Sequence, residues 1–182
     1  MDYTSLEEKM EKTISVFSEK LSEVRAGRAN PAILNKIRID YYGTQTPINQ
    51  VAAISVPEAR LIVIQPWDIS VLKEIEKAIL ASDIGINPNN DGKVIRLAFP
   101  ELNEERRKEI VKDIKKMGEE TKVAIRNARR EGIDKAKAMQ KGGEMTEDEL
   151  KQAENDIQKM TDKYIEEIDK VLEKKEKEVM SV

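Results

Sequence analysis

Three stretches of the chain space their apolar residues as an α-helix does, and the stretch between the first and second of them does not. In residues 1–29 the apolar stripe is Leu6, Met10, Ile14, Phe17, Leu21 and Val24. Its alternating steps of three and four hold one helix face and match the seam of a bundle. Thr4 or Ser5 is the expected cap, with Glu7 or Glu8 closing a capping box. Pro31 bars continuation, because it biases Asn30 away from the helical region. Residues 103–141 open with Asn103 as a cap and carry the stripe Ile110, Ile114, Met117, Thr121, Ile125, Ala128, Gly132, Ala136 and Met139. Gly142-Gly143 ends that helix, and Thr146 to Glu149 forms a second capping box. The last helix then runs along Leu150, Ala153, Ile157, Met160, Tyr164, Ile168 and Val171. The short turn at 142–145 makes these two helices antiparallel neighbours.

Residues 30–102 follow a different pattern. Lys36–Tyr42 alternates with period two, as a half-buried strand does. Gly43 to Pro47 is turn chemistry. Val51–Val56 and Leu61–Ile64 are short β-branched runs, and Ile69–Ala81 reads as a helix capped by Asp68 or Ser70. Asn87–Gly92 reads as a loop, and Val94–Phe99 as a last strand. All six prolines lie in this stretch, where a long bundle helix would not tolerate them. It is read as a small α/β domain.

A lone amphipathic helix at the start of the chain is marginal in water, so its partners are the two later helices. The expected organisation is a discontinuous bundle of residues 1–29 and 104–182, with residues 30–103 inserted. The two crossings, Ala29, Asn30 and Pro31 on one side and Pro100, Glu101, Leu102 and Asn103 on the other, are the expected hinges.

Composition narrows the chemistry. The chain of 182 residues has no cysteine and no histidine. That removes thiolate metal sites and disulfides, and the side chain best suited to proton transfer near neutral pH. No metal and no cofactor is expected, and an enzyme becomes a poor fit. No apolar run reaches the length of a bilayer span, and the polar, acidic start does not look like a signal peptide. The expected location is the cytoplasm. With 37% charged and 4% aromatic residues, the composition favours long solvated helices.

Charge is unevenly spread. Residues 103–141 hold 13 basic and 8 acidic groups, and residues 142–182 hold 7 and 13. Lys108, Lys112, Lys115, Lys122, Arg126, Arg129 and Lys137 fall on one side of the first of these helices, with Arg130 beside Arg129. Two readings stand. The row is a solvated face paired to the acidic helix, or it meets a phosphate backbone, for which the arginine fork is suited. A rigid cationic helix face reads A-form RNA through shape and phosphates without stacking aromatics. Arg25 and Arg28 share a face three residues apart and serve either a helix C-terminus or RNA. Arg106 and Arg107 sit in a first helical turn, where cations are disfavoured, so an ion pair at the hinge or an RNA contact is expected. Gly92-Lys93 is a hairpin turn rather than a phosphate loop. Glu166-Glu167 diverge around the helix and form no shared site. Trp67 is read as a partly buried packing residue.

These residues carry a resemblance. Leu21 to Pro31, with its Arg25-Ala26-Gly27-Arg28-Ala29-Asn30 core, resembles the end of the first helix of the bacterial ribosome recycling factor family. Tyr41 to Pro47 is similar to that family's first hairpin, and Leu80 to Pro88 to a further signature. Glu104 to Lys108 and Val123 to Arg130 complete the likeness, which extends from Met1 to Val182. It implies an α+β fold: an elongated antiparallel three-helix bundle with an inserted small α/β domain, L-shaped and hinged. It implies a monomeric, non-enzymatic factor in protein biosynthesis. With elongation factor G and GTP, such a factor dissociates the post-termination ribosome and frees it from messenger RNA. The implied partners are large-subunit ribosomal RNA at the intersubunit face and elongation factor G, with no membrane. Arg25, Arg28, Lys122, Arg126, Arg129 and Arg130 are the implied RNA contacts, with Arg106 and Arg107 at the hinge or on RNA. On the same terms, Trp67 has an alternative place against the GTPase partner. The rival function is a helical adaptor or chaperone that binds other proteins; an enzyme working through carboxylates and lysine is the second.

Overall fold

The computed structural model describes residues 2–24 and 27–181. Arg25, one of the expected RNA contacts, lies outside them. The chain divides into two compact units, one of Met1–Leu21 with Lys108–Val182 and the other of Ser22–Arg107.

The first unit is a three-helix bundle of α1 (Thr4–Glu23), α3 (Glu104–Lys141) and α4 (Glu147–Met180), of which α1 and α3 begin or end in the other unit. In α1 the buried residues are Met10, Ile14, Phe17 and Leu21, the middle of the expected stripe, while Leu6 and Val24 at its ends are half-buried. The cap differs from expectation. The helix begins at Thr4, whose backbone N–H donates to the Asp2 carboxylate at 2.9 Å, and the Thr4 hydroxyl donates there too, at 2.6 Å. A carboxylate two residues earlier outcompetes a hydroxyl for the exposed N–H at the helix start.

Asn103 caps α3 as expected, accepting from the N–H of Arg106 at 2.7 Å. The helix is 38 residues long, about 57 Å at the usual rise. It stops in a Schellman motif: Gly143 takes φ 77°, the Glu144 N–H returns to Met139 O, and the Gly143 N–H to Gln140 O. Thr146 and Glu149 then form the capping box of α4.

Residue pairs across the bundle give the directions. Lys122 meets Asp169 and Lys115 meets Glu176, so α3 and α4 are antiparallel. The Tyr3 hydroxyl donates to Asp156 (3.1 Å) and the Tyr164 hydroxyl to Glu11 (3.3 Å), so α1 is parallel to α4. Two expected seam residues give way to neighbours. Gly118 rather than Met117 is buried in α3, because its bare backbone faces Leu172. Thr161 rather than Met160 is buried in α4; its hydroxyl is satisfied by Ile157 O at 2.8 Å, which lets a polar residue occupy the seam.

The second unit pairs a helix with antiparallel sheet. A hairpin joins β1 (Arg38–Tyr41) to β2 (Thr44–Pro47), turning through Tyr42 and Gly43, both at positive φ. A four-stranded sheet has the order β3-β4-β6-β5, built from β3 (Ala52–Glu58), β4 (Leu61–Pro66), β5 (Asn89–Asn90) and β6 (Ile95–Ala98). Pro57 lies on the edge strand β3, at the register shift between Ser55 and Glu58, where no ladder donor is needed. The expected loop at Asn87–Gly92 contains the short strand β5, since Asn89 and Asn90 pair with Arg96 and Ile95.

The expected helix over Ile69–Ala81 is a 3₁₀ turn, Ile69–Val71, leading into α2 (Leu72–Leu80). Asp68 caps the turn, accepting from the Ser70 N–H at 2.9 Å. Leu72, Ile75 and Ile79 of α2 join Ile62, Ile64, Ile95 and Leu97 of the sheet in one aliphatic core. Trp67 does not join it. It is 69% exposed, beside Ile69 at 63%, and Tyr42 at 83% reaches over to Asp68 with its hydroxyl. Pro66 ends β4 and Asp68 starts the capped turn, so the chain is straightened through Trp67, whose N–H is held by Val51 O.

Candidate nucleic-acid interface

The acidic helix α4 neutralises part of the basic row of α3. Lys115 pairs with Glu176 at 3.8 Å. Lys122 pairs with Asp169 at 2.7 Å and Glu119 at 3.3 Å, and its side chain is only 14% exposed. The hydrogen bond to Asp169 raises the Lys122 pKa above its ordinary value, against the opposing effect of burial. This lysine is committed to α4, and its place among the expected RNA contacts is not retained in the interface proposed below.

The arginines one to two turns further on are held differently. Arg126 and Arg130 are exposed, and neither has an ion-pair partner among the described residues. They are four residues apart, one above the other on the helix. Arg129 is half-buried, and its Nε donates to Gln158 Oε1 of α4 at 2.7 Å. Arg129, Arg130 and Lys137 line a cleft of about 520 Å³ along α3 and α4 together with Asp134, and Glu154, Asn155 and Gln158 of α4 stand opposite. From Arg126 to Lys137 this face extends roughly 16 Å along the helix axis. It offers unpaired planar forks at fixed spacing, which suits phosphate oxygens.

In the second unit Arg28 is exposed, again without an ion-pair partner among the described residues. The expected hinge residues on both sides are tied into this unit. Ala29 N–H donates to Ala59 O at 2.7 Å. Asn30 accepts from the Ala32 N–H at 3.0 Å and donates to Ser22 O at 2.8 Å, and Pro31 starts a 3₁₀ turn, Pro31–Leu34. Phe99 N–H, just before Pro100, donates to Arg60 O at 2.8 Å, and Glu101 pairs with Arg60 at 3.6 Å. Leu102 packs on Gly27, which adopts φ 79°; a β-carbon there would lie 3.4 Å from the leucine. Asn103 is spent on the cap of α3. Arg106 is exposed and engaged within the structure. Arg107 is half-buried, and its Nε is buried with no hydrogen-bond partner.

Sequence reasoning did not single out Gln158, the residue that holds Arg129. The only signal for it is the position of a polar amide one step past the buried Ile157, on the α4 edge that flanks α3. Among the described residues no cluster of carboxylates could hold a metal ion, and no helix is long and apolar enough to cross a membrane.

Fold and face together define a two-unit α+β protein: a charged helical bundle with a cationic stretch of one helix left unpaired. Comparison with known proteins makes this specific. Residues 17–180 match the family described as Ribosome recycling factor. A ribosome-recycling factor of Acetivibrio thermocellus is 67% identical over 181 residues, covering 100% of this chain and 99% of its own. One from Caldicellulosiruptor bescii is 65% identical over 97% of this chain and 96% of its own. The chain belongs to the ribosome recycling factor family. A solution structure of a ribosome recycling factor aligns over 99% of this chain and 96% of its own, at 42% identity and a TM-score of 0.83. The T. thermophilus ribosome recycling factor, placed with E. coli elongation factor G on the E. coli post-termination complex, aligns over 98% of this chain and 97% of its own. Its identity is 45% and its TM-score 0.66.

Proposed function

We propose that this chain is a cytoplasmic translation factor that, with elongation factor G and GTP, dissociates the post-termination ribosome and frees it from messenger RNA. The observation that carries the reading is the near-full-length likeness to a ribosome recycling factor placed with elongation factor G on a post-termination complex. The factor acts by binding and displacement and catalyses no reaction itself. Among the described residues, the displaced pKa values move away from neutrality. Asp2, Asp68, Asp91, Glu149 and Glu173 go down, chiefly through hydrogen bonds; Lys122 and Lys170 go up through hydrogen bonds; Tyr3 and Tyr164 go up through burial, and Tyr42 through the charge of Asp68.

The bundle unit meets large-subunit ribosomal RNA through Arg126, Arg129 and Arg130, with Arg28 a further contact from the other unit. The crossings at residues 29–31 and 100–103 act as hinges between an α/β domain of residues 30–103 and the bundle, and the protein works as a monomer. Arg106 and Arg107 serve the hinge.

Two measurements test the proposal. Purified protein added with elongation factor G and GTP should split post-termination ribosomes into subunits, and inertness in that assay refutes the function. Arg126→Ala and Arg130→Ala should each weaken binding to large subunits and reduce the slope of log affinity against log salt by about 1. An unchanged slope removes these residues from the interface.

A further inference from the structure

Arg129 differs from its neighbours in being held. Its Nε–H donates to Gln158 Oε1 at 2.7 Å, and the Gln158 amide in turn donates through Nε2 to Asp162 Oδ1 at 2.8 Å. The chain of bonds has one sense. A carboxylate only accepts, so the NH₂ end of Gln158 must face Asp162, and the carbonyl end must face α3. Asp162 lies one turn beyond Gln158 on α4, where the helix keeps the two in register. Taking Nε–H leaves the two terminal nitrogens of the guanidinium without a hydrogen-bond partner among the described residues.

We propose that Gln158, oriented by Asp162, is a positioning residue that fixes the Arg129 guanidinium for end-on, two-pronged contact with an RNA phosphate. This rests on the reading of Arg129 as an RNA contact. An arginine on a bundle surface ordinarily samples many rotamers and loses that freedom when it binds. Here one helix restrains in advance the side chain of another. Arg126 and Arg130 have no such support among the described residues. They supply charge, whereas Arg129 supplies charge and direction.

The test is a double-mutant cycle on binding to large ribosomal subunits, using the full-length protein, with melting curves for every variant. Gln158→Ala should weaken binding about two- to tenfold, the range for one immobilised side chain, and should have no further effect in an Arg129→Ala background. Asp162→Ala removes a negative charge, so a purely electrostatic account expects tighter binding to RNA; the positioning account expects weaker. In the free protein the Arg129 Nε–H should be protected from exchange by NMR, and the protection should be lost in Gln158→Ala.

The outcomes separate the two claims. If Arg129→Ala leaves binding unchanged, the RNA contact itself is wrong. If Arg129→Ala weakens binding but Gln158→Ala does not, or if Gln158→Ala is equally harmful without Arg129, positioning is overturned and the contact stands. Should Gln158→Ala lower the melting temperature markedly, Asp162→Ala and the protection of the Arg129 Nε–H in the unmutated protein still decide, because neither requires truncating Gln158.

Discussion

Gly132 sits in the middle of α3, where a glycine costs about 1 kcal/mol against alanine in helix propensity. The structure gives the reason for it. A β-carbon at Gly132 would lie 2.8 Å from Leu6 Cδ2 of α1 and 3.4 Å from Ile157 Cδ1 of α4. All three helices of the bundle converge there. Ordinary carbon contacts are roughly 3.5–4.0 Å, so in Gly132→Ala the Leu6 methyl must retreat by about 1 Å, while Ile157 gives by a few tenths. Leu6 is half-buried and has room to turn, which places the cost at the low end of the overpacking range, about 1 kcal/mol. Propensity gain and steric cost nearly cancel, and Gly132→Ala should leave stability within about 0.5 kcal/mol of wild type. In a Leu6→Ala background the obstruction is gone, and the same substitution should stabilise by about 1 kcal/mol. The assay is urea unfolding followed by helical circular dichroism, comparing midpoints at constant slope. If Gly132→Ala alone stabilises by the full propensity difference, or gains the same in both backgrounds, close approach is not the reason for the glycine.

Two further outcomes follow from single side chains. Lys175 is 7% exposed in the α4 seam, with Glu178 Oε1 at 3.4 Å from its ammonium. Since Glu178 reaches solvent, Lys175→Met strands no charge and should raise stability by about 1 kcal/mol; a lower melting temperature would refute this. Asp91 accepts from the N–H groups of Val94 and Lys93 and from the Arg96 guanidinium, and the Val94 bond leads in holding its carboxyl far below the usual range. A depressed folded pKa means stability that is full above the unfolded value, about 3.9, and fades as pH falls below it. The advantage of wild type over Asp91→Asn should therefore be constant near neutral pH and shrink on acidification below about pH 4; a gap that widens in acid contradicts the assignment.

The long helices were legible because periodicity and punctuation agree in them. Phe17 and Leu21 in α1, Ile125 and Ala128 in α3, and Ile157 and Ile168 in α4 are all buried where the stripes place them. Single seam positions were less so, because burial depends on the neighbour. Gly118 is buried by Leu172, and Thr161 is admitted by a bond to its own backbone. Neither fact is encoded in hydropathy. Trp67 misled for a related reason. Large aromatics are usually buried in part, but the proline and capped turn on either side hold this one outward. In the basic row, spacing identified which side chains share a face but not which of them have a partner. That depended on α4 supplying Asp169 opposite Lys122 and the amide of Gln158 opposite Arg129.

The parallel pairing of α1 with α4 governs how the chain comes together during synthesis. Tyr3 and Asp156 are separated by 153 positions, as are Glu11 and Tyr164. At about 5–20 residues per second, the first helix leaves the tunnel on the order of 10–30 s before its mates exist. Residues 22–107, whose strands pair with near neighbours, can complete their own packing in that interval. Met10, Ile14 and Phe17 meanwhile remain open to water, so the first helix finds shelter only after the small unit and both later helices have been made.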